Sequence, residues 1–511
     1  MNQIIVSRTH IKITNYEPGM APWIENTFSI WNPSYHRRDV IGMHYDRKTK
    51  ILYLPRGTSI ENLERTFNTV AIIDNSVTKV RNIGNIALTY GPRDDDQREA
   101  LKFMIGMEKY YHTADKSMLS VNLNTGKGKS YCAVATMSFY EVASIVITDN
   151  VGVLDQWRDY ILEYTDIKIG EIYYLTGSPS IQKLFKRDFS QYRIFLATHG
   201  TLNSYANTYG WPAVGELFDY LGIGLKFYDE AHKCFDNMCL IDFYSNVFKT
   251  YYLTATPHRS DYYEDNIYRI YFNSAPSIDL FHIDEDPHTM YAGLLYNSHP
   301  SPMNIQDCKS NYGMDRNAYT DYVVRQPNFH KLLHILINQA INKPGKSLWY
   351  IGTNSAIMYV RNWIYDNYPE LVGSVGVYTS IVPPEKKREQ LDRKIILSTT
   401  KSAGAAMDIK DLVETVPLAE PFKSKVLAQQ TLGRTRASDT IYKEAVDLGF
   451  PTIRRFYNYK KPVFMKYATE CKEIMLKDSE LDRRANEILK KRENAVFPII
   501  FNDDTFDNLD K

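Results

Sequence analysis

Eight consecutive residues, Leu123 to Ser130 (L-N-T-G-K-G-K-S), combine the residue types that grip a chain of phosphates. Gly126 and Gly128 let backbone N–H groups come close to phosphate oxygens, Lys129 offers a cation for the outer phosphates, and Ser130 offers a hydroxyl to Mg²⁺. Leu123, Asn124, Thr125, Gly126, Lys127, Gly128, Lys129 and Ser130 are therefore the candidate nucleotide-binding loop. The general pattern G-x-x-x-x-G-K-[ST] has a glycine where this chain has Leu123, and a lysine in a surface turn would also account for the triplet. About 100 residues further on, L-K-F-Y-D-E-A-H-K sets Asp229 and Glu230 at the end of an apolar run. An Asp at a strand end can hold the metal, and a neighbouring Glu can orient water and take its proton. An acidic pair capping a helix is the plainer alternative. A third segment, T-Y-Y-L-T-A-T-P-H-R-S, brings Thr254, Ala255, Thr256 and Pro257 after another apolar strand, as an ordinary strand exit also would. A dinucleotide-binding enzyme fits less well, because G-x-G-x-x-G would need a glycine at Tyr131.

Such residues must be placed by strands, and the alternation along the chain supplies them. Residues 1–88 read as short strands (I-I-V-S-R-T-H-I-K-I, V-I-G-M-H-Y, K-I-L-Y-L-P, T-V-A-I-I-D) with one helix at S-I-E-N-L-E-R-T-F, a small α+β module. From residue 89, apolar runs such as S-I-V-I-T-D, R-I-F-L-A-T-H and L-K-F-Y-D-E-A-H alternate with longer helical stretches, the pattern of a parallel sheet. After a loop-rich region the alternation restarts with K-S-L-W-Y-I-G-T, S-V-G-V-Y-T and K-I-I-L-S-T-T. The expected division is 1–88, 89–278, 279–465 and 466–511, the last a solvated helix with an acidic tail. The fold class is α/β, two tandem domains with parallel sheets behind a small α+β module.

The loop, the D-E-A-H tetrad and the T-A-T-P segment, in this order and spacing, resemble motifs I, II and III of superfamily 2 helicases and translocases, in which the first loop glycine is routinely replaced. The resemblance covers roughly residues 90–450 and implies two RecA-like domains that use ATP and Mg²⁺, with Lys129, Asp229 and Glu230 catalytic and Ser130 and Asp229 on the metal. L-A-Q-Q-T-L-G-R-T-R-A-S looks like motif VI, which makes Gln430 catalytic and gives the family's arginine, reaching a γ-phosphate, to Arg434 or Arg436. Position 437, where the usual second arginine stands, is Ala437. By the same resemblance Gln97 reads the adenine edge. His232, Thr254, Thr256 and Asp408 couple hydrolysis to movement, and Thr198, Thr353 and Thr400 touch a nucleic-acid backbone. Ala406 departs from the expected motif V glycine. S-I-V-I-T-D-N-V-G-V-L-D-Q-W resembles motif Ia, ending at Gln156 and Trp157. T-A-T-P-x-R, with Arg259, looks more like the DNA translocases (the XPB, restriction-subunit and UvsW types) than the DEAD-box RNA helicases, and the N-terminal module loosely resembles the small domain of the UvsW type.

Composition bounds the partners. Lys+Arg at 61 against Asp+Glu at 60 gives a net charge of +1, so a polyanion site must be local. The five cysteines are odd in number and show no C-x-x-C pair, which argues against a disulfide framework or structural zinc and fits a reducing compartment. No apolar run approaches a membrane span, so the expectation is a cytoplasmic protein, in a host cytoplasm if the Tyr, Lys, Asn and Ile usage reflects an A/T-rich viral genome. The function implied is an ATP-dependent DNA helicase or translocase acting on branched DNA, with DNA preferred over RNA. An RNA helicase and a catalytically silent nucleic-acid-binding scaffold are the alternatives. In the N-terminal module, Arg37, Arg38, Arg47 and Lys48 lie near Trp23, Trp31 and Tyr45, a mixture that could grip nucleic acid or simply be core aromatics beside solvated cations.

Overall fold

The computed structural model describes residues 2–32, 36–68, 72–123, 128–231, 233–254, 262–280, 289–310, 313–403, 409–432 and 440–494. The chain divides into two compact units, one built mainly on Met1–Glu285 and the other mainly on the rest. Among the described residues no helix is long and apolar enough to cross a membrane.

In the first unit, the runs read as alternating strands form one seven-stranded sheet, ordered Ile172–Leu175, Ile194–Thr198, Ser144–Thr148, Leu225–Asp229, Lys249–Thr254, Met118–Leu123 and Ser277–Leu280. Every neighbouring pair is parallel. Helices cover both faces, which is why Met118–Leu123, Ser144–Thr148 and Lys249–Thr254 are buried along their whole length rather than at alternate residues. Ser277–Leu280 belongs to this sheet, so the strand spans the expected boundary at 278/279.

The N-terminal module is a second, mixed sheet ordered His44–Asp46, Ile51–Pro55, His10–Ile13, Ile4–Ser7 and Ile72–Asn75. The stretch read as one strand, I-I-V-S-R-T-H-I-K-I, is two strands folded back antiparallel. Helix Ile60–Phe67 starts where the Ser59 side chain accepts from Asn62 N at 3.3 Å and ends at Asn68 in the left-handed region. Ile4, Ile11, Ile24, Phe28, Leu54 and Leu63 share one buried cluster with Ile145, Leu202, Leu217 and Met238 of the seven-stranded sheet and its helices. The proposed boundary at 88/89 therefore crosses a common core. The connecting segment is also tied down: Arg81 N donates to Gly222 O (2.9 Å), Arg81 Nη2 to Tyr192 O (2.6 Å), and Thr89 N to Tyr164 O (2.9 Å).

Asp242, fully buried, is the polar hub of that core. Its Oδ1 accepts from Tyr228 (2.7 Å) and Lys226, and its Oδ2 accepts from Tyr252 (2.6 Å) and Tyr271. Thr9 of the N-terminal module donates to its carbonyl at 2.8 Å. Burial pulls the Lys226 ammonium down from its usual range, and the Asp242 carboxylate opposes that shift.

The second unit repeats the parallel architecture, in the order Val375–Tyr378, Ile395–Ser398, Lys346–Ile351, Leu412–Ala419, Thr440–Asp447, Thr289–Tyr296 and Cys471–Met475. Its inner charges are paired as well: Lys443 with Glu414, and Lys460 with Glu444. The C-terminal region departs from the expected solvated helix. Cys471–Met475 is an edge strand of the sheet, and helix Asp478–Asn494 buries Leu481 and Ala485, with Asp478 accepting from Asn328 (2.9 Å) and Asp482 pairing with Lys331 (2.6 Å). The charge-rich pattern concealed an amphipathic helix, because few apolar positions suffice when long charged side chains cover the flanks. The acidic tail lies outside the described residues.

Asp242→Asn removes the charge that satisfies buried Lys226. It is expected to destabilise the first unit by about 3–5 kcal/mol, read as a lowered urea midpoint. A midpoint equal to wild type would show that the Ser245 hydroxyl, which accepts from Lys226 Nζ at 2.6 Å, and a neutral amide oxygen suffice to hold the ammonium.

Candidate active site

Parallel register brings the candidate residues to one edge. Asp229 stands opposite Leu253 and Thr254 opposite Asn122, so the C-terminal ends of three adjacent strands, Leu225–Asp229, Lys249–Thr254 and Met118–Leu123, finish together. Thr198 stands opposite Thr148 at the same edge. Ligands of open α/β sheets bind beyond these carboxyl ends. With strands roughly 4.8 Å apart, Asp229 lies two strand spacings, about 10 Å, from the strand that enters the loop.

Beyond Leu123, helix Lys129–Tyr140 begins at Gly128, whose φ of 87° is in the left-handed region. That φ favours glycine, and a Cβ there would meet Gln97 Nε2 at 2.1 Å, so another residue would also have to displace that amide. Gln97 is itself buried: its Oε1 accepts from Arg93 N at 2.8 Å, and its N donates to the cap residue Asp94 at 2.9 Å. Gln97 and the loop are thus brought together. Lys129 is buried at the helix start, where its Nζ donates to Leu123 O at 3.1 Å, folding the cation back over the loop. Ser130 is half-buried on the first turn, where unpaired N–H groups and the helix dipole favour an anion. Asn124, Thr125, Gly126 and Lys127 lie outside the described residues.

Asp229 is held on one side. Trp157, buried in helix Val151–Tyr164, donates its indole N–H to Asp229 Oδ2 at 2.9 Å. Burial first, and the neighbouring Glu230 carboxylate second, raise the Asp229 carboxyl above its usual range; the Trp157 bond, Lys129 and Lys233 oppose that rise. Glu230 is buried and has a φ of 51°, the left-handed region that costs a side-chain-bearing residue roughly 1–2 kcal/mol. Ala231 N then donates to Leu253 O (2.9 Å), and Lys233 pairs with Asp149 (2.9 Å), so the residues after the carboxylates are pinned to neighbouring elements. Among the described residues no cluster of three or more His, Cys, Asp or Glu could hold a metal unaided. Asp229 with Ser130 is a hard-oxygen pair that fits Mg²⁺, which takes one or two carboxylates and fills its other positions with water and phosphate.

The remaining candidates fall in four groups. Thr254 is buried at the strand end beside Asp229. Thr198 and Thr353 are helix caps: Thr198 Oγ1 accepts from Thr201 N (3.1 Å), and Thr353 Oγ1 accepts from Ala356 N (3.1 Å) while donating to Asp321 (2.8 Å). Thr400 donates both its N–H (2.8 Å) and its hydroxyl to Glu420, whose carboxyl burial holds above its usual range. His232, Thr256, Asp408, Arg434 and Arg436 lie outside the described residues; Gln430 falls in helix Lys425–Leu432, and its side chain is outside them too. The sequence reading missed two things. Trp157 was placed only by its likeness to motif Ia, although an apolar residue with one donor, on a helix leaving the next strand of a parallel sheet, is where a carboxylate clamp can arise. Glu420 carried no signal, being twenty residues from Thr400.

Residues 91–259 match the family model of the type III restriction enzyme, res subunit. No curated protein matches the chain. Among solved structures, S. cerevisiae Dbp5 bound to RNA and ADP BeF3 is 13% identical over 77% of this chain and 93% of its own, with a TM-score of 0.52. Mss116p bound to ssRNA and AMP-PNP is 13% identical over 77% and 80%, with a TM-score of 0.50. T4 UvsW is 15% identical over 93% and 100%, but its TM-score of 0.34 is too low to support the resemblance of the N-terminal modules. The fold is tandem RecA-like. The matched stretch contains Lys129, Asp229, Glu230 and Thr254, and with the fold it supports an ATP-hydrolysing domain of helicase type.

Since neutral pH ionises a carboxyl that burial keeps above its usual range, Asp229 opposes folding there, and the opposition fades as pH falls through its raised pKa. Asp229→Asn removes that charge. It is expected to raise the melting temperature of the ligand-free protein at neutral pH, by about 2–4 °C per kcal/mol relieved. A lowered melting temperature would mean that Trp157 and the two lysines more than offset the desolvation.

Proposed function

We propose that the protein is a superfamily 2 nucleic-acid-dependent ATPase with a D-E-A-H box, a helicase or translocase that remodels branched DNA in recombination, repair or replication. The observation that supports the reading is the shared sheet edge, where the strands ending at Asp229 and Thr254 lie beside the strand that leads to the helix starting at Lys129. Backbone N–H groups at the start of helix Lys129–Tyr140 bind the phosphates, and Lys129 exchanges its bond to Leu123 O for phosphate oxygen. Asp229 and Ser130 would hold Mg²⁺, which would supply positive charge to offset that of the group transferred. Trp157 keeps one Asp229 oxygen occupied and fixes the plane of the carboxylate. Glu230 orients the attacking water and accepts its proton, a role suited to a buried carboxylate held in a set backbone conformation. Gln97, packed against Gly128, reads the base, and Gln430 with either Arg434 or Arg436 acts on the outermost phosphate. Hydrolysis would be coupled through His232, Thr254, Thr256 and Asp408 to grip on nucleic acid at Thr198, Thr353 and Thr400.

The choice of DNA rests on Arg259 in T-A-T-P-x-R. Steady-state ATPase rates with no polynucleotide, single-stranded DNA, branched DNA and RNA, compared side by side, test the substrate. Strongest stimulation by branched DNA is expected, and strongest stimulation by RNA would make the protein an RNA helicase. Lys129→Ala is expected to abolish hydrolysis and weaken nucleotide binding. Glu230→Gln is expected to keep ATP binding while kcat falls about 10²–10⁴-fold. Turnover near wild type in Lys129→Ala would remove the loop from the mechanism, and loss of ATP binding in Glu230→Gln would make that residue structural.

A further inference from the structure

The strands Ser29–Asn32 and Arg37–Val40 form a two-stranded ribbon separate from the five-stranded sheet of the N-terminal module. Its root is fixed: Phe28 is fully buried, Ile41 N donates to Phe28 O at 2.8 Å, and Ile30 packs against the common core. Period-two alternation then gives the ribbon an inner face with Ile30 and Asp39 and an outer face with Ser29, Trp31, Arg38 and Val40. A ribbon packed on one side normally shows polar residues on the other. Here the outer face shows Trp31, 59% exposed, and Val40, 53% exposed. Arg38 lies directly across from Trp31 and donates to the neutral oxygens of Asn26 (2.8 Å) and Ser29 (3.3 Å), neither of which offsets its charge. Trp23 and Tyr45 do not join this face. Trp23 is half-buried with its indole N–H on Thr66 (2.9 Å), and Tyr45 packs edge-on against Tyr16.

We propose that the outer face of this ribbon binds single-stranded nucleic acid, with an unpaired base stacked on Trp31 and Arg38 against the adjoining phosphate. The inference rests on the nucleic-acid-dependent function proposed above. An exposed indole with a guanidinium across from it, bonded among the described residues to neutral oxygens, suits a base and its phosphate; Trp and Arg also anchor protein interfaces, and the test below separates the two partners. Duplex bases stack on one another and offer no free face, so unpaired strand is the ligand.

The test uses the full chain and fluorescence anisotropy with a short labelled oligo(dT) and a blunt duplex, at one fixed salt concentration. Trp31→Ala is expected to weaken oligo(dT) binding by about tenfold and duplex binding by less than about twofold, while Trp31→Phe keeps most of the affinity. Because Trp31 is exposed, the melting curve of each variant should match wild type. Equal affinity of Trp31→Ala and wild type for oligo(dT) would overturn the inference and leave the ribbon to another kind of partner. An equal loss on duplex and oligo(dT) would overturn base stacking. If wild type binds neither, the nucleic-acid function itself fails.

Discussion

A parallel sheet covered on both faces has only its strand ends left for polar chemistry, and in the first unit the register of three strands decides where that chemistry can be. Leu225–Asp229, Lys249–Thr254 and Met118–Leu123 are hydrogen-bonded in register, so a one-residue slip would turn Asp229 away from the edge and leave a carboxylate against the apolar helices. The apolar runs behind each site residue are therefore part of the site. They fix register by burial, and register fixes the separation of the carboxylates from the loop.

The edge carries costs that a purely structural sheet would avoid. Glu230 takes a left-handed backbone although it has a Cβ, and the half-buried Asp229 lies beside a second carboxylate. Trp157, Lys129 and Lys233 relieve part of this electrostatic strain. The remainder is what a divalent cation would remove, since a metal changes the sign of the local field for both carboxylates. Local strain concentrated on Asp229 and Glu230 fits the metal-bound site proposed above.

The parallel sheets and their order of appearance were legible in the sequence because they rest on local pattern: apolar runs of strand length separated by helical stretches. What was not legible depends on distant contacts. The shared core of residues 1–88 and the motor could not be read, because an Ile or Leu facing another sheet looks the same as one facing its own helix. Asp242, inside F-D-N-M-C-L-I-D-F-Y, reads as an ordinary acidic residue on a helix until Lys226, Tyr228, Tyr252 and Tyr271 are brought to it from three other elements. The edge strand Cys471–Met475 is likewise only five residues of mixed character, defined by its partner rather than by its own pattern.

That shared core changes what the N-terminal module can do. A module on a flexible tether adds affinity but transmits little force, because its position is loosely coupled to the motor. Here Thr9 donates to Asp242, and Asp242 also accepts from tyrosines on Leu225–Asp229 and Lys249–Thr254, the two strands that end at Asp229 and Thr254. The module is therefore linked through Asp242 to the strands that position the carboxylate and the residue beside it, by a buried network whose hydrogen bonds are costly to break. Close packing transmits small displacements rather than absorbing them. The module is built into the first unit, its ribbon rooted in a core that is hydrogen-bonded through Asp242 to the strands ending at Asp229 and Thr254.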